Sequence, residues 1–190
     1  MDTKSKILKC ALDLFNTTNT QAATTNHISK KMHISPGNLH YHYKNREEII
    51  RELYKNMQKE YTLLPHEFPN TINELFEANK KSFKMQHKYR FFYRELLFLL
   101  SRDTELKQIY TQDAIAQRIR YKTIFERLSD KEILTFKNSD EINYIVDMIL
   151  LIEQFWSSFT KIYGNKNSDI DTSIQQIEKL IQPFETKELF

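Results

Sequence analysis

Apolar residues recur three and four positions apart along most of this 190-residue chain, and polar clusters interrupt them, a pattern that predicts a succession of amphipathic helices. The first starts at Thr3, with Ile7, Leu8, Ala11, Leu12 and Phe15 on one face and Lys4, Lys6 and Lys9 outside it. Asn16-Thr17-Thr18-Asn19-Thr20 stops it. Two short helices follow between Thr24 and Arg46. Ile28 and Met32 share a face on one, Leu39 and Tyr43 on the other, and Ile34 plugs the turn between them. Thr24 or Thr25 caps the first. Ser35 caps the second, with Pro36 at its first helical position, where a missing N–H costs nothing. Asn45 and Glu48 open a fourth helix in the manner of a capping box. Ile49, Ile50, Leu53, Tyr54 and Met57 point inward along it until Pro65 and Pro69 end it.

Beyond Asn70 the pattern stays helical and turns aromatic. Ile72, Leu75, Phe76 and Phe83 line one helix. From His87 to Leu100 the chain is apolar nearly all round, which predicts a central helix. Asp103 caps the next, which runs to Leu128 with Leu106, Ile109, Tyr110, Ile119 and Phe125 as candidate core. A polar connection carrying Ile133, Leu134 and Phe136 leads to a cap at Asn138 and a long helix to Tyr163, which Gly164 can end. This helix has two apolar stripes. Ile142, Ile145, Val146, Ile149, Trp156 and Phe159 form one; Met148, Leu151, Ile152 and Phe155 form the other. Two stripes call for two partners, the core and something else. A last helix, Thr172 to Gln182, carries Ile174, Ile177 and Ile181.

The second short helix is informative for what it leaves outside. At about 100° per residue, Gly37 and Tyr41 lie nearly opposite Leu39, with Asn38 and His40 beside them and Lys44 following. Hydrogen-bonding groups on a face with no apolar reason to be buried suit a helix-turn-helix whose second helix enters the DNA major groove. A solvated helix in an ordinary bundle has the same pattern. Ile34-Ser35-Pro36-Gly37-Asn38-Leu39-His40-Tyr41-His42-Tyr43-Lys44-Asn45-Arg46-Glu47-Glu48-Ile49-Ile50 resembles the recognition-helix signature of TetR-family repressors. Thr3 to Phe15 is similar to that family's first helix, and Ala23-Thr24-Thr25 to the entry of its second. Tyr89-Arg90-Phe91-Phe92-Tyr93-Arg94-Glu95-Leu96 resembles a stretch of one regulator-domain subgroup. Where the family commonly has Tyr then His, this chain has His40 then Tyr41.

The resemblance implies an all-α protein: an N-terminal three-helix DNA-binding domain over residues 1–48 and a C-terminal helical-bundle domain for ligand binding and dimerisation over 49–190. Its partner would be double-stranded DNA with a near-palindromic operator, bound by a homodimer built on the Asp140–Tyr163 and Thr172–Gln182 helices. Thr25, Lys44 and Arg46 would hold phosphates, and Asn38, His40 and Tyr41 would face base edges. Pro36, Gly37 and His42 complete the surface, His42 nearer the buried side. A hydrophobic small-molecule effector would sit among Phe76, Phe83, Phe92, Tyr93, Arg94, Leu96, Tyr121, Phe125, Phe155, Trp156 and Phe159, although aromatics at helical spacing equally suit a plain core. Its anionic end would meet Arg94 or Arg118.

Composition narrows the rest. The net charge of +3 divides unevenly: residues 1–64 hold 10 Lys+Arg against 6 Asp+Glu and four of the six histidines, while the remainder is slightly acidic. The basic excess thus lies where phosphates would be met. With only Gly37 and Gly164 there is no glycine-rich phosphate loop. His40 and His42 point about 200° apart on a helix, so no metal site and no cofactor are expected. Cys10 alone makes no internal disulfide and reads as a small core residue, in keeping with a cytoplasmic protein. Charged or polar Met1 to Lys9 is no signal peptide, and the apolar run from Phe91 to Leu100 is too short for a membrane. The competing classes are a helical enzyme, with Tyr93, Arg94 and Glu95 as its only candidate groups, and an interaction module that uses the helix pair for packing.

Overall fold

The computed structural model describes residues 2–63, 67–163 and 170–186, and among them there are ten α-helices, one 3-10 turn and no strand. The expected stops at Pro65 and Gly164 lie outside the described residues. The chain divides into two compact units, 1–64 with 88–107, and 65–87 with 108–190.

The first unit opens with α1 (Thr3–Thr17), α2 (Thr25–Lys31), α3 (Pro36–His42) and α4 (Arg46–Thr62). Each begins on a side chain that accepts an otherwise orphaned N–H: Asp2 from Ser5, Thr24 from His27, Ser35 from Asn38 and Asn45 from Glu48. The cap of α4 is reciprocal in shape, because Glu48 Oε2 accepts the Lys44 N–H at 2.8 Å. Ile7, Ala11, Phe15, Ile28, Leu39, Tyr43, Ile49, Ile50, Leu53 and Tyr54 are buried together, as their spacing requires. Cys10 is half-buried.

The expected central helix from His87 to Leu100 is not one helix. The chain there forms the end of α5 (Ile72–Lys88), then α6 (Arg90–Arg94) and α7 (Leu96–Arg102), with breaks at Tyr89 and Glu95. The reason is visible in the side chains of α1 and its following loop. Asn16 donates Nδ2–H to the Lys88 carbonyl at 2.8 Å and accepts the Phe91 N–H at 3.0 Å, so one amide serves both ends of the first break. At the second, Glu95 turns its carboxylate to the N–H and hydroxyl of Thr20, at 3.1 and 2.6 Å. The breaks let Phe91 and Phe92 both face inward, against Phe15 (ring centroids 5.3 Å) and Tyr54 (4.9 Å), and they leave Leu97 outside at 70% exposure.

The second unit holds most of α5, most of α8 (Thr104–Asp130), α9 (Ser139–Ile162) and α10 (Ile170–Ile181). Its core gathers Leu75, Phe83, Tyr121, Phe125, Leu128, Ile142, Ile145, Val146, Ile149, Ile174, Ile177 and Ile181. Leu134, in the connection between α8 and α9, is buried too and pairs across an isolated bridge with Glu185. Ile119 departs from expectation: it is exposed. So are Tyr144, Leu151, Phe159 and Ile162, which follow one another along an outer stripe of α9.

Candidate nucleic-acid interface

α2 and α3 form the expected helix pair. The turn between them puts His33 at φ 55°, in the left-handed region, and is tied by Ile34 N–H to the Ser29 carbonyl at 3.1 Å. Histidine tolerates that conformation better than bulky or branched residues do, and the sequence pattern alone did not single it out. Pro36, which starts α3, restricts Ser35 to the extended conformation a cap needs.

The exposed side of α3 is polar and open. Leu39 is its one buried residue, and Tyr43 just after it is buried as well. Pro36, Gly37, Asn38, His40 and Tyr41 are exposed, Tyr41 to 86%. A methyl group built on Gly37 would approach nothing in the chain closer than the Ser35 hydroxyl at 4.0 Å, so the surface there is clear of the protein's own atoms. His42 is half-buried, its ring edge-on to Tyr41 at 5.2 Å. Thr25 is half-buried at the start of α2, and Lys44 is exposed beyond α3. Burial drives the Tyr43 phenol well above its ordinary acidity range, and Lys4 Nζ lies over its ring at 5.4 Å.

Arg46, expected at a phosphate, is turned inward in the free chain. Its guanidinium donates to the Thr20 carbonyl at 2.8 Å and to Glu47 at 3.0 Å, which ties the start of α4 to the loop after α1. Thr20 is therefore a node, fully buried, held by Arg46 through its carbonyl and by Glu95 through its N–H and hydroxyl. Sequence reading placed Asn16 and Thr20 in a polar stop signal and missed both as fasteners.

The residues expected around an effector do not fall in one unit. Phe92, Tyr93, Arg94 and Leu96 belong to the first, beneath the helix pair's supporting core. Phe76, Phe83, Tyr121, Phe125, Phe155, Trp156 and Phe159 belong to the second. Phe83, Tyr121 and Phe125 are buried, Phe76, Phe155 and Trp156 half-buried, and Phe159 exposed and stacked on Trp156 at 5.4 Å. Neither cation proposed for an anionic ligand is free. Arg94 donates to the carbonyl of Phe15 at 2.9 Å, closing the end of α1, and Arg118 pairs with Asp147 at 2.7 and 3.1 Å. Among the described residues no group of histidine, cysteine or carboxylate side chains could hold a metal, and no helix is long and apolar enough to cross a membrane.

Two family models match this chain. That for bacterial regulatory proteins of the tetR family covers residues 7–53, and that for the TetR bacterial transcriptional repressor covers 47–189. The chain belongs to the TetR family. The biofilm operon icaADBC negative transcriptional regulator IcaR of Staphylococcus epidermidis is 25% identical over 95% of this chain and 98% of its own length. A TetR-family regulator from Marinobacter aquaeolei superposes with TM-score 0.88 at 31% identity, covering 98% of this chain and 92% of that one. The triclosan complex of SmeT, the repressor of a Stenotrophomonas maltophilia efflux pump, shares the fold at TM-score 0.66 and 14% identity, covering 99% of this chain and 94% of that one. As a TetR-family member the protein is a DNA-binding transcriptional repressor, and α2 with α3 is its helix-turn-helix.

Proposed function

We propose that the protein is an effector-responsive repressor that binds a near-palindromic operator as a homodimer, with residues 1–48 reading DNA on a unit that 49–64 and 88–107 complete, and the second unit serving ligand and partner. The observation that carries this reading is the outer face of α3, where Asn38, His40 and Tyr41 stand exposed around a glycine with clear space before it. Asn and His are bidentate or single hydrogen-bonding groups of the kind that read base edges, and Tyr41 offers a hydroxyl and an apolar ring to the same groove. Lys44 and Thr25 serve as phosphate contacts. Arg46, engaged inward, supports the interface from behind. The exposed stripe Tyr144, Leu151, Phe159 and Ile162 on α9 supplies the apolar surface for a two-fold partner, with α10 beside it. Binding of a small molecule is supported by the triclosan complex of SmeT, which shares the fold.

Selection of bound sequences from random duplex DNA tests the reading. The expected result is two inverted half-sites about one helical turn, or a multiple of it, apart. Enrichment of no motif, or of a single unrepeated half-site, would overturn it.

A further inference from the structure

α5, α8 and α9 bring a set of polar side chains to one place inside the second unit. Glu153 is 5% exposed, and Asn79 and Ser82, on α5, are buried slightly more deeply. Gln117 donates Nε2–H to Glu153 Oε2 at 2.9 Å, and the Tyr121 hydroxyl lies 2.5 Å from Glu153 Oε1 and 3.0 Å from Asn79 Oδ1. Gln117 and Tyr121 stand one turn apart on α8, and Asn79 and Ser82 one turn apart on α5. Among the described residues no lysine or arginine pairs with Glu153, and Asn79 Nδ2 and Ser82 Oγ have no hydrogen-bond partner. Burial holds the Glu153 carboxyl up at about 7, against the pull of its two hydrogen bonds.

Counting protons leaves two arrangements. The Tyr121 hydroxyl has one proton and faces two oxygens. If it donates to Asn79 Oδ1, Glu153 must carry a proton and donate to the phenol oxygen. If instead the Asn79 amide is turned so that Nδ2 donates to the phenol, Tyr121 donates to an ionised Glu153. In that second arrangement Asn79 Oδ1 and the Glu153 carboxylate are acceptors at a buried negative charge that lacks a counterion. An unpaired buried carboxylate is costly, and a cation that also donates hydrogen bonds removes the cost.

We propose that this cluster is the polar end of the effector site, and that it takes the ammonium group of a primary amine with an apolar body. The proposal deepens the effector-responsive reading above and rests on it. It reverses the charge expected when Arg94 and Arg118 were the candidate contacts. The ammonium takes the place of the proton on Glu153 and donates to Glu153 and Asn79. The other titratable groups that act on Glu153 are Tyr110 and Tyr121 on α8, and Asn79, which α5 brings to the cluster through Tyr121, carries no charge. Trp156, one turn from Glu153 on α9 and the only tryptophan, lies on the same side of the helix.

The test compares phenylbutylamine, phenylbutanol and phenylbutyrate on the full-length protein, read by Trp156 fluorescence, thermal shift and release of operator DNA. Calorimetry in two buffers of different ionisation heat counts the protons exchanged. The amine is expected to bind at least about tenfold more tightly than the alcohol or the acid. It should release protons near neutral pH and release DNA. Glu153→Gln keeps the shape and the contacts of Tyr121 and Gln117 without the charge. It should lose the amine preference and the proton release while still binding operator. Tyr121→Phe, the second variant, should weaken amine binding several-fold more than binding of the alcohol. Preference for the alcohol or the acid with DNA release, or amine binding by Glu153→Gln equal to wild type, overturns the cation and leaves the effector reading standing. Binding by none of the three also overturns the proposal, and a chemically diverse screen for DNA release then decides the effector reading separately.

Discussion

At the scale of single residues, the interface separates position from identity. Lys44→Ala should weaken binding to specific and unrelated DNA alike and flatten the dependence on salt, because a phosphate contact carries no sequence information. Tyr41→Ala should instead cost about 1–3 kcal/mol of discrimination between operator and unrelated DNA. Gel-shift titrations across a salt series distinguish the two, and unchanged behaviour in both would remove α3 from the groove. Gly37→Ala sets two effects against each other. The free protein has room for the methyl, so α3 should gain up to about 1 kcal/mol of helix stability. If DNA backbone or bases approach Gly37, operator affinity falls while Tm rises, a combination no folding defect produces. Glu153 gives a pH prediction with a definite sign. Its folded value of about 7 lies above the ordinary 4.5, so the folded state holds the proton more tightly. Stability from this group is complete below about pH 4.5 and lost as pH rises through about 7, a change on the order of 3 kcal/mol. Glu153→Gln should therefore gain Tm over wild type at about pH 8 and gain little at about pH 5. An equal gain at both would show that the carboxyl is not held protonated.

At the scale of elements, local signals were legible and long-range ones were not. Caps at Thr24, Ser35, Asn45 and Asn138 stand as their residue types suggested, since a cap is decided within four residues. The inward sets of α4 and α10 follow from period alone. The segment from His87 to Leu100 misled because its composition favours one helix, whereas the breaks at Tyr89 and Glu95 are made by Asn16 and Thr20, some 75 positions away. No window of sequence contains both sides of those bonds. For the same reason the exposed face of α3 was readable in advance, and the inward turn of Arg46 was not. Asn16→Ala removes the partner of two backbone groups at once and should cost about 2–4 kcal/mol, the Phe91 N–H being left buried and unpaired. Glu95→Gln keeps the shape but gives up a charged acceptor and should cost about 1 kcal/mol. Chemical denaturation measures both, and a cost for Asn16→Ala no larger than that of an exposed helix substitution would mean the joint holds without it.

At the scale of the whole molecule, the outer stripe of α9 is an exposed apolar surface among the described residues. Leu151→Glu with Phe159→Glu should yield a monomer by sedimentation at micromolar concentration, with operator binding lost and half-site binding weakened. A dimer that survives both changes would move the interface elsewhere. The division of the chain has a consequence of another kind. The core under the DNA-reading helices is completed by residues 88–107, which come after α5 has left for the second unit. A nascent chain on the ribosome cannot close that core when its first 64 residues have emerged. It must wait until about 40 more have cleared the exit tunnel, and Phe15 and Tyr54 stay open to chaperones in the meantime. A gene truncated after the fourth helix is therefore expected to encode no small competitor for the operator, which expression of residues 1–64 and a gel shift would check. Recombination that exchanges reading heads between such regulators has to carry two separated stretches of coding sequence.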